Sequence, residues 1–160
     1  MKRKTQTINW LFAITAFIVI AGFGAVNAQK MKAPEFHVVN SSKYSFDDTV
    51  DLLKGAIEAQ NLMVLKEIDA QKMLRMVEVK TKGMKQLLFF HPRYMKKIMK
   101  ANKHAMIEPP LKIAIMEKPD GKVMIKYLKP SYLLGKYDGL EAIGKELDEL
   151  VATIVGDAQK

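Results

Sequence analysis

The chain has 160 residues, of which 49% are hydrophobic and 27% are charged, and its formal net charge is +9. This composition is typical of a globular protein and excludes an intrinsically disordered one. Cysteine is absent, which excludes disulfides, thiolate metal sites, thiol nucleophiles and a lipid-bearing cysteine.

The first 28 residues have the three parts of a secretory signal. Residues 2–4 are basic, residues 10–21 are apolar, and Val26 and Ala28 are modest side chains at the positions a signal peptidase must accept. We therefore predict a signal peptide that is cleaved between Ala28 and Gln29, and an exported protein that is periplasmic or secreted. The alternative is an uncleaved membrane anchor ending at Val26, at the lower length limit for spanning a bilayer.

Loss of the signal changes the charge of the working protein. The three basic residues of the signal are removed with it, so the formal net charge of the protein falls from +9 to about +6. A positive excess favours contact with anionic surfaces such as the lipid headgroups of an envelope. A lysine-coated, solvent-facing surface explains the same excess. Because export takes the protein away from nucleic acid, we expect no nucleic-acid partner.

Strands and helices alternate along the first half of the exported chain. After a polar lead-in, β-branched and aromatic residues predict a strand over 36–44. Apolar residues at helical spacing predict a helix over 46–60, and Ser45 with Asp48 resembles a capping box at its start. A second strand is predicted over 62–68.

The middle of the chain continues this alternation. Asp69 is a predicted N-cap for a short helix, and the wholly apolar centre of 86–90 predicts a buried strand. A helix is predicted over 92–101, because its first residue is a proline, which is favoured in the first turn. Strands over 111–117 and 122–127 then flank a Pro-Asp-Gly sequence that suits a type I turn with a glycine bulge.

An irregular link and a long helix complete the prediction. Pro130 and Gly135 mark the link. Asp138 with Glu141 is then predicted to start a helix, and apolar residues between Leu140 and Ile154 form one stripe along it. The order of elements indicates an α+β fold, with a mostly antiparallel sheet of about five strands and helices packed on one face.

The exported domain resembles a family known as domain of unknown function 302. The motifs that carry the resemblance are, in chain order, Ser45-Phe46-Asp47-Asp48-Thr49-Val50, Glu67-Ile68-Asp69, Leu87-Leu88-Phe89-Phe90-His91-Pro92, Pro110-Leu111-Lys112-Ile113, Glu117 with Asp120-Gly121, and Pro130 with Leu133. The similarity covers residues 44–158, and a lead-in and first strand over 29–43 precede it.

The resemblance implies a fold like that of the TATA-box-binding protein, with a curved sheet, and a chain that often pairs as a homodimer. It implies no established activity. Many members carry a cysteine where this chain has Phe90, and a histidine where it has Ala70. Any redox or metal role that those groups have in relatives is therefore lost here.

Methionine and histidine offer one candidate metal site. Met95, Met99, His104 and Met106 lie within 12 residues of one another, and thioether and imidazole groups suit Cu(I). Met95 and Met99 also share a predicted helix face with Ile98, which is typical of a core stripe. Copper binding is therefore an alternative hypothesis, and the main expectation is a protein without a cofactor.

The same predicted helix is rich in lysine. Lys96, Lys97 and Lys100 lie on it and Lys103 follows it. A basic amphipathic helix can lie on an anionic membrane surface. Because the apolar stripe is short, we favour a solvent-facing role for these lysines.

The sequence shows no constellation typical of a catalytic site. The remaining candidates are Glu67, Asp69, His91 and Glu117, and two or more of them in one deep pocket would favour an enzyme. His91 directly precedes a helix-opening proline and is expected to cap that helix. We therefore expect a non-catalytic binding or interaction module of the cell envelope that acts as a homodimer. The alternatives are the copper-binding protein and an enzyme whose site the sequence does not reveal.

Overall fold

A computed structural model describes residues 34–159, and the predicted signal and its cleavage site lie outside these residues. The strands are β1 (His37–Ser42), β2 (Met63–Asp69), β3 (Met84–Phe90), β4 (Leu111–Glu117) and β5 (Val123–Leu128). The helices are α1 (Phe46–Ala59), α2 (Ala70–Arg75), α3 (Pro92–Ala101), α4 (Pro130–Leu134) and α5 (Glu141–Asp157), with a 3₁₀ helix at Lys103–Ile107. None of the described helices is both long and apolar enough to cross a membrane.

The five strands form one antiparallel sheet in the order β1-β5-β4-β3-β2. The predicted α+β fold with about five strands is therefore confirmed. β1 and β2 are the two edge strands, and a bulge between Val64 and Lys66 interrupts the pairing of β2 with β3. The connection from β1 to β2 runs through α1, which carries the chain from one edge of the sheet to the other.

One face of the sheet packs against the helices. Successive side chains of a strand point to opposite faces, and alternate residues of the three central strands are buried. Leu87 and Phe89 of β3, Ile113 and Ile115 of β4, and Ile125 of β5 have no exposed surface. They form one core with α1 and α5, including Leu53 and Ile57 of α1 and Leu147, Val151 and Ile154 of α5. We call this the covered face.

The predicted helix starts are confirmed at three positions. The Ser45 hydroxyl accepts a hydrogen bond from the backbone N–H of Asp48 at 3.2 Å. The Asp69 carboxylate accepts one from the backbone N–H of Lys72 at 2.7 Å. Each bond satisfies a backbone donor that has no partner inside the first turn.

His91 supplies the third of these caps. Its Nδ1 accepts a hydrogen bond from the backbone N–H of Arg93 at 3.0 Å, and Pro92 is the first residue of α3. The expected capping role of His91 is therefore confirmed, and its imidazole stabilises the start of α3.

The turn between β4 and β5 also agrees with the sequence. Gly121 has a φ of +80°, a conformation that only glycine adopts without strain. Its N–H donates to the Lys118 carbonyl at 2.9 Å, and the Lys118 N–H donates to the Lys122 carbonyl at 2.8 Å. These bonds fix the register of the hairpin.

Two predictions after β5 are wrong. The link expected between Pro130 and Gly135 contains the short helix α4. The last helix starts at Glu141 and has Leu140, not Asp138, at its N-cap, with no side-chain hydrogen bond there. A contact between α4 and α5 explains the first error, because Asp148 of α5 accepts a hydrogen bond from the Ser131 backbone N–H at 2.9 Å.

Candidate functional site: the open face of the sheet

The second face of the sheet is also largely apolar, although the described helices leave it uncovered. We call it the open face and define it by the strand residues that alternate with the core positions. These residues are Lys66 and Ile68 of β2, Met84, Gln86 and Leu88 of β3, Lys112, Ala114 and Met116 of β4, Met124, Lys126 and Leu128 of β5, and His37, Val39 and Ser41 of β1. An antiparallel sheet with one solvated face ordinarily presents polar residues there.

The strand register brings three methionines of the open face into one row. Met116 of β4 lies opposite Met84 of β3 on one side and opposite Met124 of β5 on the other. All three side chains are half-buried. Methionine side chains are flexible and polarizable, and they are frequent on surfaces that adapt to different apolar partners.

A groove of about 320 Å³ lies at the end of the open face where β5 leads into α4. This volume is at the lower end of the range typical of small-molecule sites, roughly 300–1,000 Å³. The open-face residues that line it are His37, Lys112, Ala114, Met116, Lys126 and Leu128, and Leu133 of α4 also contributes. The groove therefore has an apolar floor and two cationic side chains.

The two lysines of the groove have no anionic partner in the described part of the chain. Among residues 34–159, neither Lys112 nor Lys126 forms an ion pair. Lys126 is half-buried between Val39 of β1 and Ala114 of β4 in the strand register. The Nδ1 atom of His37 is buried and has no hydrogen-bond partner in the described part of the chain.

A stacked aromatic pair holds the β1 side of the groove in place. The ring of Phe36 stacks on Tyr132 of α4 with centroids 4.2 Å apart. The backbone N–H of Lys129 donates to the Phe36 carbonyl at 3.1 Å. These contacts fix His37, the next residue, against the start of α4.

A second groove of about 680 Å³ follows the outer side of α1. Its lining includes the small residues Gly55 and Ala59 and the acidic residues Asp48 and Asp51. Asp48 accepts a hydrogen bond from the Ser45 hydroxyl at 2.6 Å, and acidic residues near a helix start offset the helix dipole. The helix start therefore explains the charge of Asp48, while Asp51 lies further along α1 and Asp157 at the end of α5 also lines this groove.

The four candidate residues for an enzyme serve structural roles. Asp69 and His91 are the caps described above. The Glu117 carboxylate accepts a hydrogen bond from the Gly83 backbone N–H at 3.2 Å. None of the four lines either groove described above.

Glu67, the fourth candidate, is held between two lysines. Its carboxylate pairs with Lys54 of α1 and, at 2.8 Å, with Lys85 of β3. Hydrogen bonds from Lys54 and then from Lys85 lower the pKa of Glu67, and the same contact with Glu67 raises the pKa of Lys85. This cluster links α1 to β2 and β3 at the edge of the sheet.

The four candidate copper ligands have two kinds of surroundings. Met95 and Met106 are partly buried and pack against the hydrophobic core. Met99 and His104 are exposed. Packing therefore accounts for two of the four side chains, and copper binding by this set stays a hypothesis from the sequence.

The lysine-rich helix α3 packs on α5 through Tyr94. The Tyr94 hydroxyl donates to Glu146 at 2.9 Å, and Lys97 pairs with the same carboxylate at 3.1 Å. The bonds from Tyr94 and Lys97 lower the pKa of Glu146. Lys96 and Lys100 are exposed, as expected for a solvent-facing side.

The groove residues His37, Lys112 and Lys126 were not predicted from the sequence to lie in one site. They lie on three strands, at positions 37, 112 and 126, and no spacing rule connects them. The available signal was the apolar character of alternate residues on both faces of β3, β4 and β5. That pattern indicates two apolar faces but does not show which one the helices cover.

Comparison with known proteins identifies relatives without an assigned function. A family model described as "Domain of unknown function DUF302" matches residues 37–157, and no match was found among the curated proteins. Among solved structures, the chain is similar to an uncharacterised conserved DUF302 protein from Bacillus stearothermophilus, with 17% identity and a TM-score of 0.73, covering 79% of this chain and 100% of that one. The chain therefore belongs to the DUF302 family.

Proposed function

We propose that this protein is an exported, non-catalytic binding module of the cell envelope that holds an apolar, acidic ligand in the groove of the open face. The observation that carries the proposal is an apolar groove with two lysines that form no ion pair among residues 34–159. Export is supported by the basic start, apolar stretch and cleavage site in the first 28 residues.

The apolar lining accounts for the hydrocarbon part of such a ligand. Ala114 leaves space at the centre of the groove, with Met116 and Leu128 beside it. Burial of hydrocarbon against these side chains contributes about 25 cal/mol per Å² of apolar surface removed from water. The methionine row adjoins the groove and can adapt to chains of different shape.

The cationic side chains account for the acidic part. A half-buried lysine loses solvation without regaining it from a partner, and a bound carboxylate would supply that partner. Lys126 lies within the groove wall and Lys112 lies on the neighbouring strand. Both can approach one anionic group while its chain lies along the strands.

The non-catalytic part of the proposal is supported by how the polar candidates are used. Glu67, Asp69, His91 and Glu117 each have a partner that stabilises local structure. A general acid or base needs a proton-transfer partner within reach in a site that holds substrate. These four residues lie outside the proposed ligand groove.

We also propose that the chain forms a homodimer, as the family resemblance implies. The exposed apolar side chains Met63 and Leu65 on the edge strand β2 support a contact there. Because the bulge between Val64 and Lys66 disrupts the strand ladder, side chains would dominate this contact. Size-exclusion chromatography with light scattering is expected to give a dimer, and Leu65→Lys is expected to give a monomer. Val39→Lys on the opposite edge is the matched control, and a monomeric parent protein would end the dimer proposal.

The ligand proposal is tested by calorimetry with decanoate as the acidic probe and decylamine as its cationic counterpart. We expect decanoate to bind and decylamine not to bind. Lys126→Glu is expected to weaken decanoate binding at least tenfold, since one attractive charge becomes repulsive. Ala114→Phe is expected to abolish binding by filling the groove.

Lys66→Glu is the matched control for these variants. Lys66 is exposed on the same side of the sheet, on β2, and has no ion pair among the described residues. The substitution changes the net charge by the same amount at a residue outside the groove lining, two strands or about 10 Å from Lys112. Because salt screens charges over about that distance, decanoate affinity should stay within about twofold. Equal losses with Lys66→Glu and Lys126→Glu, or equal binding of both probes, would contradict the proposal.

Export and the natural ligand are tested together on the full chain. The mature protein purified from the envelope of its own cells should begin at Gln29. Native mass spectrometry of that material should show a bound acidic, apolar molecule. A mature chain that retains residues 1–28 would refute cleavage, and a bound metal would favour the copper alternative.

A further inference from the structure

A second apolar surface lies on α2 and the turn that follows it, away from the groove. Its four aliphatic side chains are Met73, Met76, Val77 and Val79, and they are 59%, 80%, 67% and 45% exposed, respectively. Met73, Met76 and Val77 share one side, because residues three and four apart on a helical turn are neighbours. We call these four residues the α2 patch.

The segment that carries the α2 patch is firmly held. The backbone N–H groups of Val77 and Val79 both donate to the Leu74 carbonyl, at 3.1 Å and 3.0 Å. The Gln71 side chain donates to the Thr81 carbonyl at 2.9 Å, which ties the start of the segment to its end. The apolar side chains are therefore presented to solvent by an ordered turn.

The charges around the α2 patch are mostly positive. Lys72, Arg75, Lys80 and Lys82 are exposed, and none of them forms an ion pair within residues 34–159. The acidic exceptions are Glu78 within the segment, Asp69 at the N-cap of α2 and Glu117 against the Gly83 N–H. We call Lys72, Arg75, Lys80 and Lys82 the rim of the α2 patch, and these four charges are complementary to an anionic surface.

We infer that the α2 patch binds the surface of an anionic lipid bilayer. Exposed methionine and valine can enter the boundary between headgroups and acyl chains, while the surrounding lysine and arginine contact lipid phosphates. A basic rim that repels its own copy disfavours a contact between two identical α2 patches. This inference does not depend on the ligand groove, because no residue of the α2 patch lines that groove.

The experiment is sedimentation with lipid vesicles, using the chain from Gln29 onwards. This chain contains the compact unit that holds the whole described core. Vesicles of phosphatidylcholine with about 30% phosphatidylglycerol provide the anionic surface. Vesicles of phosphatidylcholine alone provide the neutral one. We expect binding to the anionic vesicles and at least about tenfold weaker binding to the neutral ones.

Two double variants separate the apolar and the charged contributions. Met76→Ser with Val77→Ser removes the two most exposed apolar side chains of the α2 patch. Lys80→Glu with Lys82→Glu reverses two rim charges. Each double variant is expected to lower the partition coefficient at least about tenfold. For the rim variant the reason is that each basic residue near an anionic surface contributes about a factor of five, and for the serine variant it is the loss of apolar surface that would be buried in the bilayer.

The matched control is Lys96→Glu with Lys100→Glu on α3. It changes the net charge as much as the rim variant does, on another exposed basic surface. Its binding should fall less than about threefold. An equal loss would mean that net charge alone drives binding and would overturn the inference.

Two other results would also overturn it. One is equal binding to neutral and anionic vesicles, or no binding to either kind of vesicle. The other is a change of oligomeric mass in the Met76→Ser, Val77→Ser variant by light scattering, which would make the α2 patch a contact between protein chains. Failure of decanoate binding would leave this inference standing, and failure of vesicle binding would leave the groove proposal standing.

Discussion

The two faces of the sheet are built from the same three strands and are similarly apolar, but they differ in what covers them. On the covered face, Leu87, Ile113 and Ile125 are fully buried beneath α1 and α5. On the open face, Leu88 and Ala114 are only half-buried. The covered face supplies the core, so the stability of the domain does not explain why the open face is apolar as well. Binding of a ligand would explain it, and the proposed function therefore places the binding site on the open face.

The largest expected difference between the faces concerns two adjacent leucines. Leu87→Ala removes a fully buried side chain and is expected to lower the free energy of unfolding by about 2–5 kcal/mol. Leu88→Ala, at the next position on the open face, should cost less than about 1.5 kcal/mol because part of that side chain already contacts water. Chemical denaturation of both variants measures the difference. Equal costs would mean that Leu88 contributes as much to the core as Leu87 does, and would contradict an open face that is available to a ligand.

A smaller effect tests how the helices are held over the covered face. A methyl group at Gly144 of α5 would lie 2.8 Å from the Ser131 Cα atom of α4, so the two helices would have to separate. Gly144→Ala is expected to destabilise the protein by about 1–3 kcal/mol. Gly156→Ala on the same helix meets nothing within 4 Å and should be neutral or stabilising by up to about 1 kcal/mol. A neutral Gly144→Ala would contradict the tight α4–α5 contact.

A third effect concerns the salt-bridge cluster at the edge of the covered face. Because the pKa of Glu67 is lower in the folded protein than in the unfolded chain, its carboxylate stabilises the fold at neutral pH. This contribution is lost as the pH falls through the folded pKa. Glu67→Gln is therefore expected to lower the free energy of unfolding by about 1 kcal/mol at pH 7. At a pH well below the folded pKa of Glu67, the variant should be as stable as the parent protein.

Asp51→Asn is the control for this pH dependence. Its carboxylate is 3.8 Å from Lys54 and its side chain is 79% exposed, so the substitution should change stability very little. Thermal melts of both variants between acidic and neutral pH provide the test. A cost of Glu67→Gln that persists in acid would point to packing instead of charge.

The smallest effect is expected on α3, where buried and exposed side chains again lie close together. Met99 is 53% exposed, so Met99→Ala should change stability by less than about 0.5 kcal/mol. Met95→Ala, which removes a side chain packed on the core, should cost more. Neither variant is expected to alter the copper content of the purified protein, measured by mass spectrometry. Copper bound to the parent protein and lost from the Met99→Ala variant would revive the copper hypothesis.

The sequence predicted most of the secondary structure because the signals are local. The helical spacing of Val50, Leu53 and Ile57, the caps Ser45 and Asp69, and the turn at Gly121 all act within a few residues. The stripe of α5 was also predicted, although its start was placed too early, at Asp138. Here no side chain caps the helix, so the sequence carries no signal for the true boundary.

By itself, the sequence determined most of the elements, their order and the antiparallel α+β class. Only the tertiary structure decided which apolar face is covered, because period-two alternation is the same for both faces of a strand. It also created α4, whose Ser131 is held by a residue 17 positions away, and it joined His37, Lys112 and Lys126 into one groove. Contacts between residues distant in sequence depend on how the chain packs, and local patterns do not specify that packing.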